Sequence, residues 1–177
     1  GFEAGGHNGR EETTTLCLIP MVRSAIDIPL IAAGGIASGR AMLACMVLGA
    51  DGVQVGSRFA ASIESSGHDS FKHMIINAEE GSTALTLKEI TPVRMIKNKF
   101  YQEIEAAYAN HANIEQLRTL LGRGRAKKGM FEGDLENGEL EIGQISATLD
   151  NILPAAEILG NIWNEYLQAK QMTTSLP

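Results

Sequence analysis

Two glycine-terminated apolar runs stand one helix apart in this chain: Ile31-Ala-Ala-Gly34-Gly35-Ile36 and Val53-Gln-Val55-Gly56-Ser57-Arg58-Phe59. Glycine at a strand end lets backbone approach a ligand closely, because no Cβ intervenes. Successive N–H groups in such a turn form an anion-binding concavity, helped by the N-terminus of a following helix. Two such ends on neighbouring parallel strands can aim at one phosphate, so a phosphate-bearing ligand is the first expectation. The alternative is that each glycine merely turns the chain. Arg58 follows the second run and could neutralise ligand charge, or pair structurally with Asp51 or Glu64.

His7 lies in Gly5-Gly6-His7-Asn8-Gly9. The flanking glycines predict a loop that displays the imidazole. A histidine exchanges a proton near neutral pH and so suits a general acid or base; an exposed loop histidine without a role fits the spacing as well. His68, His73 and His111 fall on polar helix surfaces, and no pair has the i, i+4 spacing of a metal site. Gln144, before a helical segment, could donate its amide to a ligand or cap a loop. Arg118, Arg123, Arg125, Lys127 and Lys128 make a local basic patch.

These groups need elements to hold them. Residues 1–12 are glycine-rich and polar and read as a loop, followed by a helical stripe over 14–25. Pro29–Ala33 is a short apolar run of strand length, Ser38–Leu48 a helix with Gly49 as its C-cap, and Gly52–Val55 a second buried strand. Strand, helix and strand within about thirty residues is a βαβ unit. A helix is expected over 69–78. Leu85–Ile90 reads as an irregular connection, 98–109 and 114–121 as helices, and 122–143 as glycine-rich charged turns. Pro154 opens a final helix to about Lys170 with Ile158, Leu159, Ile162, Trp163 and Tyr166 inward.

Composition narrows the class. With 177 residues, 44% hydrophobic and 20% charged, the chain has the make-up of a globular protein. A net charge of −6 argues against nucleic acid or an acidic membrane surface as main partner. Cys17 and Cys45 sit in apolar helical patterns and read as small core residues of a reducing compartment. No apolar run approaches a membrane span, so a cytoplasmic protein is the expectation.

Three motifs in order, Phe2-Glu-Ala-Gly-Gly-His7, Ile28-Pro-Leu-Ile-Ala-Ala-Gly-Gly-Ile-Ala37 and Gly49-Ala-Asp-Gly-Val-Gln-Val-Gly-Ser-Arg-Phe59, resemble the flavin-dependent nitronate monooxygenase family, which also contains the flavin-type enoyl-ACP reductases. The likeness continues through Arg94-Met-Ile-Lys-Asn98 and Glu132-Gly-Asp to Gly143-Gln144. It implies an α/β fold: the C-terminal portion of an FMN-binding (β/α)8 TIM barrel, plus a mostly helical C-terminal region. Residues 1–80 would carry the loop after strand six and strands seven and eight. Residues 81–145 would be a helical and loop insertion beside the active site, and 146–177 a C-terminal helix packing on the barrel. Phosphate sites form after strands seven and eight of such barrels.

On this resemblance His7 is the catalytic residue, and Gly5, Gly6, Ala33, Gly34, Gly35, Gly56, Ser57 and Gln144 contact FMN. The activity implied is NAD(P)H-dependent reduction of a 2-enoyl-ACP, with NADH or NADPH as reductant and acyl carrier protein as partner, the basic patch suiting an acidic carrier. Nitronate oxidation with O2 is the alternative, and a non-enzymatic interaction module a distant one. Either enzyme would take a small-molecule or acyl-thioester substrate, with a homodimer as one expected assembly. A complete barrel needs about 250 residues, so the chain is expected to be part of a protein of roughly twice its size.

Overall fold

The computed structural model describes residues 1–173; the last four residues of the expected C-terminal segment lie outside the described residues. Its elements are β1 (Gly6–His7), α1 (Thr15–Arg23), β2 (Ile31–Ala33), α2 (Gly39–Val47), β3 (Gly52–Gln54), α3 (Ser57–Ala60), α4 (Asp69–Ile76), β4 (Thr83–Thr86), β5 (Val93–Ile96), α5 (Lys99–Ala109) and α6 (Ile114–Leu121). A π-helical turn at Lys127–Phe131, a 3-10 turn at Gln144–Thr148 and α7 (Ala155–Thr173) complete the chain.

The predicted βαβ unit is β2-α2-β3. Its strands are parallel, with Ile31 opposite Gly52, Ala32 opposite Val53 and Ala33 opposite Gln54. The Ser38 hydroxyl caps α2 by accepting from Ala41 N–H at 3.2 Å, satisfying a first-turn donor. A core of Ile19, Ala32, Ile36, Cys45 and Ala50 joins α1, β2 and α2. Among the described residues no third strand joins β2 or β3, so no closed barrel is present. Leu16, Met21, Ile28, Ile31 and Val47 stand exposed around this unit.

Four expectations change. Leu85–Ile90 is not wholly irregular: β4 and β5 form an antiparallel hairpin, with Leu85 opposite Arg94. Every residue of β5 is buried, so it lacks the alternation that marks a half-buried strand. His7 is not in a free loop but in β1, antiparallel to β5 and opposite Val93. Cys17 is exposed on α1, while Cys45 is buried as expected. Leu159 and Trp163 of α7 are exposed, and Ile158 and Ile162 carry its buried stripe.

Two further cores position the site. One packs Phe71 and Ile75 of α4 against Leu140, Ile142 and Leu149. The other packs Val93 and Met95 of β5 against Phe100, Ile104 and Leu117 of α5 and α6. Among the described residues no helix is long and apolar enough to cross a membrane.

Candidate functional site

Parallel pairing makes Gly34-Gly35 and Gly56-Ser57 leave β2 and β3 at the same end. Gly34 and Gly35 adopt φ of +104° and +70°, a region in which a side chain is strained, so glycine is required for the turn itself. A cavity of about 300 Å³ opens there, walled by Gly5, Gly6, Ala33, Gly34, Gly35, Gly56 and Ser57 together with Gln54, Met130 and Ile145. The N–H groups of Gly35, Gly56 and Ser57 donate to no backbone carbonyl among the described residues. A small-residue wall with backbone donors left over fits an anion.

Ser57 is buried, and its hydroxyl oxygen accepts from Gly143 N–H at 3.0 Å. That bond leaves the Ser57 proton to donate elsewhere and joins the cradle to the 142–144 segment. Ser57→Ala strands a buried Gly143 N–H, a cost of about 1–3 kcal/mol. The expected result is a melting temperature lower by roughly 2–12 °C in a calorimetric scan.

Residues 3–6 form the opposite wall. The Glu3 carboxylate accepts from Thr15 N–H at 3.0 Å and from the Thr15 hydroxyl at 3.0 Å, capping α1 from a distance where Thr14 does not. Glu3 C=O accepts from Gln144 N–H at 3.0 Å. Gln144 therefore ties the two segments through its backbone; its side chain is exposed and lies beside the cavity, not in its wall. Arg94, fully buried, donates from Nε and Nη2 to Phe2 C=O at 3.1 and 3.0 Å and stacks on the Phe2 ring. Arg58 donates to Asn151 C=O and Oδ1, both at 2.7 Å. It is a structural anchor between α3 and the start of α7, and its partner is neither Asp51 nor Glu64.

His7 lies in a second cavity of about 210 Å³, which it shares with Glu139, Glu141, Arg125 and the apolar Leu87, Val93 and Leu121. The register explains the grouping. Along one edge of β5, His7 faces Val93, Gly6 faces Arg94 and Glu141 faces Met95. Side chains two residues apart share a face, so His7, Glu141 and Glu139 project together. Glu141 borders both cavities. A Cβ placed on Gly6, whose φ is +71°, would stand 2.6 Å from its Oε2.

Burial pushes the Glu139 carboxyl up to about 7, with the Glu141 charge adding to it and His7 and Arg125 opposing it. Burial also raises Glu141, against the opposing pull of His7. Neither glutamate was a sequence expectation. The signal was there as Gly138-Glu139-Leu140-Glu141-Ile142-Gly143, an alternation of charged and buried apolar residues inside a stretch read as turns.

A carboxyl raised in the folded state binds its proton more tightly there than in the unfolded chain. Stability is therefore lost as pH rises from about 4.5 to about 7. Glu139→Gln removes that loss, so its melting temperature should exceed the parent's at pH 8 and match it near pH 4. The size of the gain is on the order of 3 kcal/mol.

Of the basic patch, Arg123, Arg125 and Lys128 line one cavity, and several of its charges are engaged within the chain. Arg125 donates to Leu121, Asn137 and Leu120 carbonyls and stacks 4.2 Å over Phe100. Lys127 pairs with Glu132 and Lys128 with Asp134. Among the described residues no cluster of three or more His, Cys, Asp or Glu could hold a metal.

The sequence and fold have counterparts among known proteins. A family model described as nitronate monooxygenase matches residues 1–165. A probable nitronate monooxygenase of Staphylococcus aureus is 34% identical over 97% of this chain and 50% of its own length. The solved FabK of Thermotoga maritima is 36% identical with a TM-score of 0.88, matching 98% of this chain and 55% of its own. A nitroalkane oxidase of Streptomyces ansochromogenes is 30% identical with a TM-score of 0.75, over 97% and 51%. The chain thus spans about half the length of the curated relatives it matches. A family match over residues 1–165, together with a relative 34% identical over 97% of the chain, establishes that this chain belongs to the nitronate monooxygenase family.

Proposed function

We propose that this chain supplies the phosphate grip and acid/base group of an FMN-dependent oxidoreductase, acting most directly as a 2-enoyl thioester reductase. The observation that carries the flavin reading is the cradle: two strand ends with N–H groups left over, closed by the Ser57 hydroxyl. Gly35, Gly56 and Ser57 would hold the FMN phosphate, Ser57 through its remaining proton. Bound FMN supplies the electron or hydride transfer, which no side chain here can perform. The residues of this chain orient it, exclude water and manage the proton. Gly5 and Gly6 keep the wall thin, and His7 holds or releases a proton next to the reacting carbon.

The likeness to FabK, an enoyl-ACP reductase of type II, supports the thioester. On this reading NADH or NADPH is the reductant and an acyl carrier protein the partner. The curated relatives and the nitroalkane oxidase support a second reading, in which His7 takes or returns the proton on the α-carbon of a nitro compound. Anaerobic mixing decides between them. With NADH or NADPH the yellow protein should bleach, and crotonyl thioester should restore its colour. Bleaching by an alkyl nitronate alone, with the thioester inert, would transfer the assignment to nitronate oxidation.

A further inference from the structure

The Gly34-Gly35 peptide needs something beyond its glycines to set its orientation. With no Cβ on either side, a half-turn of the peptide plane is open to it, and that turn exchanges N–H for C=O. One orientation offers a phosphate a donor. The other offers it a carbonyl oxygen, which repels it.

Thr15, the first residue of α1, is placed to choose between them. It is buried, and its hydroxyl donates to Gly34 C=O at 2.8 Å, across 19 residues of sequence. The same proton faces Glu3 Oε2 at 3.0 Å, a three-centre bond. Glu3 also fixes the Thr15 backbone, since its carboxylate oxygens accept from Thr15 N–H, each at 3.0 Å. Gly34 and Gly35 line the first cavity, and Thr15 stands behind that wall. The peptide is trans, and a trans peptide points its C=O and N–H in opposite directions. A carbonyl held towards Thr15 therefore turns the Gly35 N–H away from Thr15. That N–H donates to no backbone carbonyl among the described residues.

We propose that Thr15 is a positioning residue for the phosphate cradle: its hydroxyl holds Gly34 C=O and so aims the Gly35 N–H at the ligand's phosphate. The proposal rests on the flavin reading above, in which Gly35 shares the phosphate with Gly56 and Ser57. Without the hydroxyl the Gly34-Gly35 peptide is free to turn. The cradle then loses a donor and presents an acceptor to an anion, so the effect falls on ligands that carry the phosphate.

The test uses the full-length protein, freed of flavin and titrated with FMN or with riboflavin, which lacks the phosphate. Thr15→Val keeps the branched shape and the backbone N–H but has no hydroxyl. It should raise the FMN dissociation constant roughly 10-fold, the worth of one hydrogen bond to a charged group, and leave that for riboflavin unchanged. Thr15→Ser restores the hydroxyl and should bind FMN as the parent does. The Gly35 amide resonance should shift on adding FMN to the parent and to Thr15→Ser, and stay in place in Thr15→Val. An unchanged FMN constant in Thr15→Val overturns the proposal. Equal weakening for both flavins overturns it too, since Thr15 would then only support the fold. Should Thr15→Val fail to fold, Thr15→Ala is read by the same criteria. If the parent binds neither flavin, the functional reading falls and inorganic phosphate becomes the probe. A Gly35 amide shift on adding phosphate, lost in Thr15→Val, then upholds the role of Thr15, and no shift overturns it.

Discussion

His7→Ala lowers kcat by about 10²-fold or more and leaves flavin content unchanged. The two effects separate because two cavities carry them. The backbone N–H groups and Ser57 proposed to hold the ligand line the first cavity, and His7 is not among the residues of that wall. The imidazole sits in the second cavity, on β1 opposite Val93, where alanine preserves the strand pairing. Because side-chain loss leaves the β1–β5 backbone bonds in place, KM should change far less than kcat, the pattern of a group that acts in the transition state. Stopped-flow measurement of the thioester or nitronate half-reaction checks it, alongside the flavin-to-protein absorbance ratio. Protein that purifies colourless would assign His7 to cofactor binding instead.

Gly5→Ala is expected to do the opposite and remove both flavin and stability. A Cβ at Gly5 would lie 2.4 Å from Ile142 C and 2.5 Å from Gly143 N, both backbone atoms that have no rotamer to change. The two segments can accommodate it only by separating. Separation strains the Gln144-to-Glu3 bond and the Gly143-to-Ser57 bond that hold the cradle closed. Overpacking against backbone belongs at or beyond the upper end of about 1–3 kcal/mol. A melting temperature lower by roughly 6–12 °C is expected at 3 kcal/mol, together with loss of yellow colour on desalting. Retained flavin and an unchanged melting curve would show that the segments can part without consequence.

The legible part of this chain was its parallel unit. Pro29–Ala33 and Gly52–Val55 announce themselves as short apolar runs with glycine ends, and the structure trims them only to 31–33 and 52–54. The walls Gly34, Gly35, Gly56 and Ser57 follow from those ends. The β4–β5 hairpin was not legible, because β5 is buried on both faces and interrupted by Arg94. That arginine looks like a surface residue until Phe2, far away in sequence, supplies its acceptor and ring. Glu139 and Glu141 escaped for the same reason: their meaning comes from a strand edge that pairs them with His7. Local periodicity reports which face is buried; it is silent on what a distant segment brings to that face.

The bond from Gly143 to Ser57 spans 86 residues, and the one from Arg94 to Phe2 spans 92. Contacts so distant in sequence must overcome chain-closure entropy before they stabilise anything, and they slow folding accordingly. During synthesis the Ser57 hydroxyl would wait for Gly143 through roughly 4–17 s of elongation at about 5–20 residues per second. Over that interval the βαβ unit can form from neighbours alone, while the cradle stays open on one side. The cradle therefore gains its second side only after the segment around Gly143 has been made.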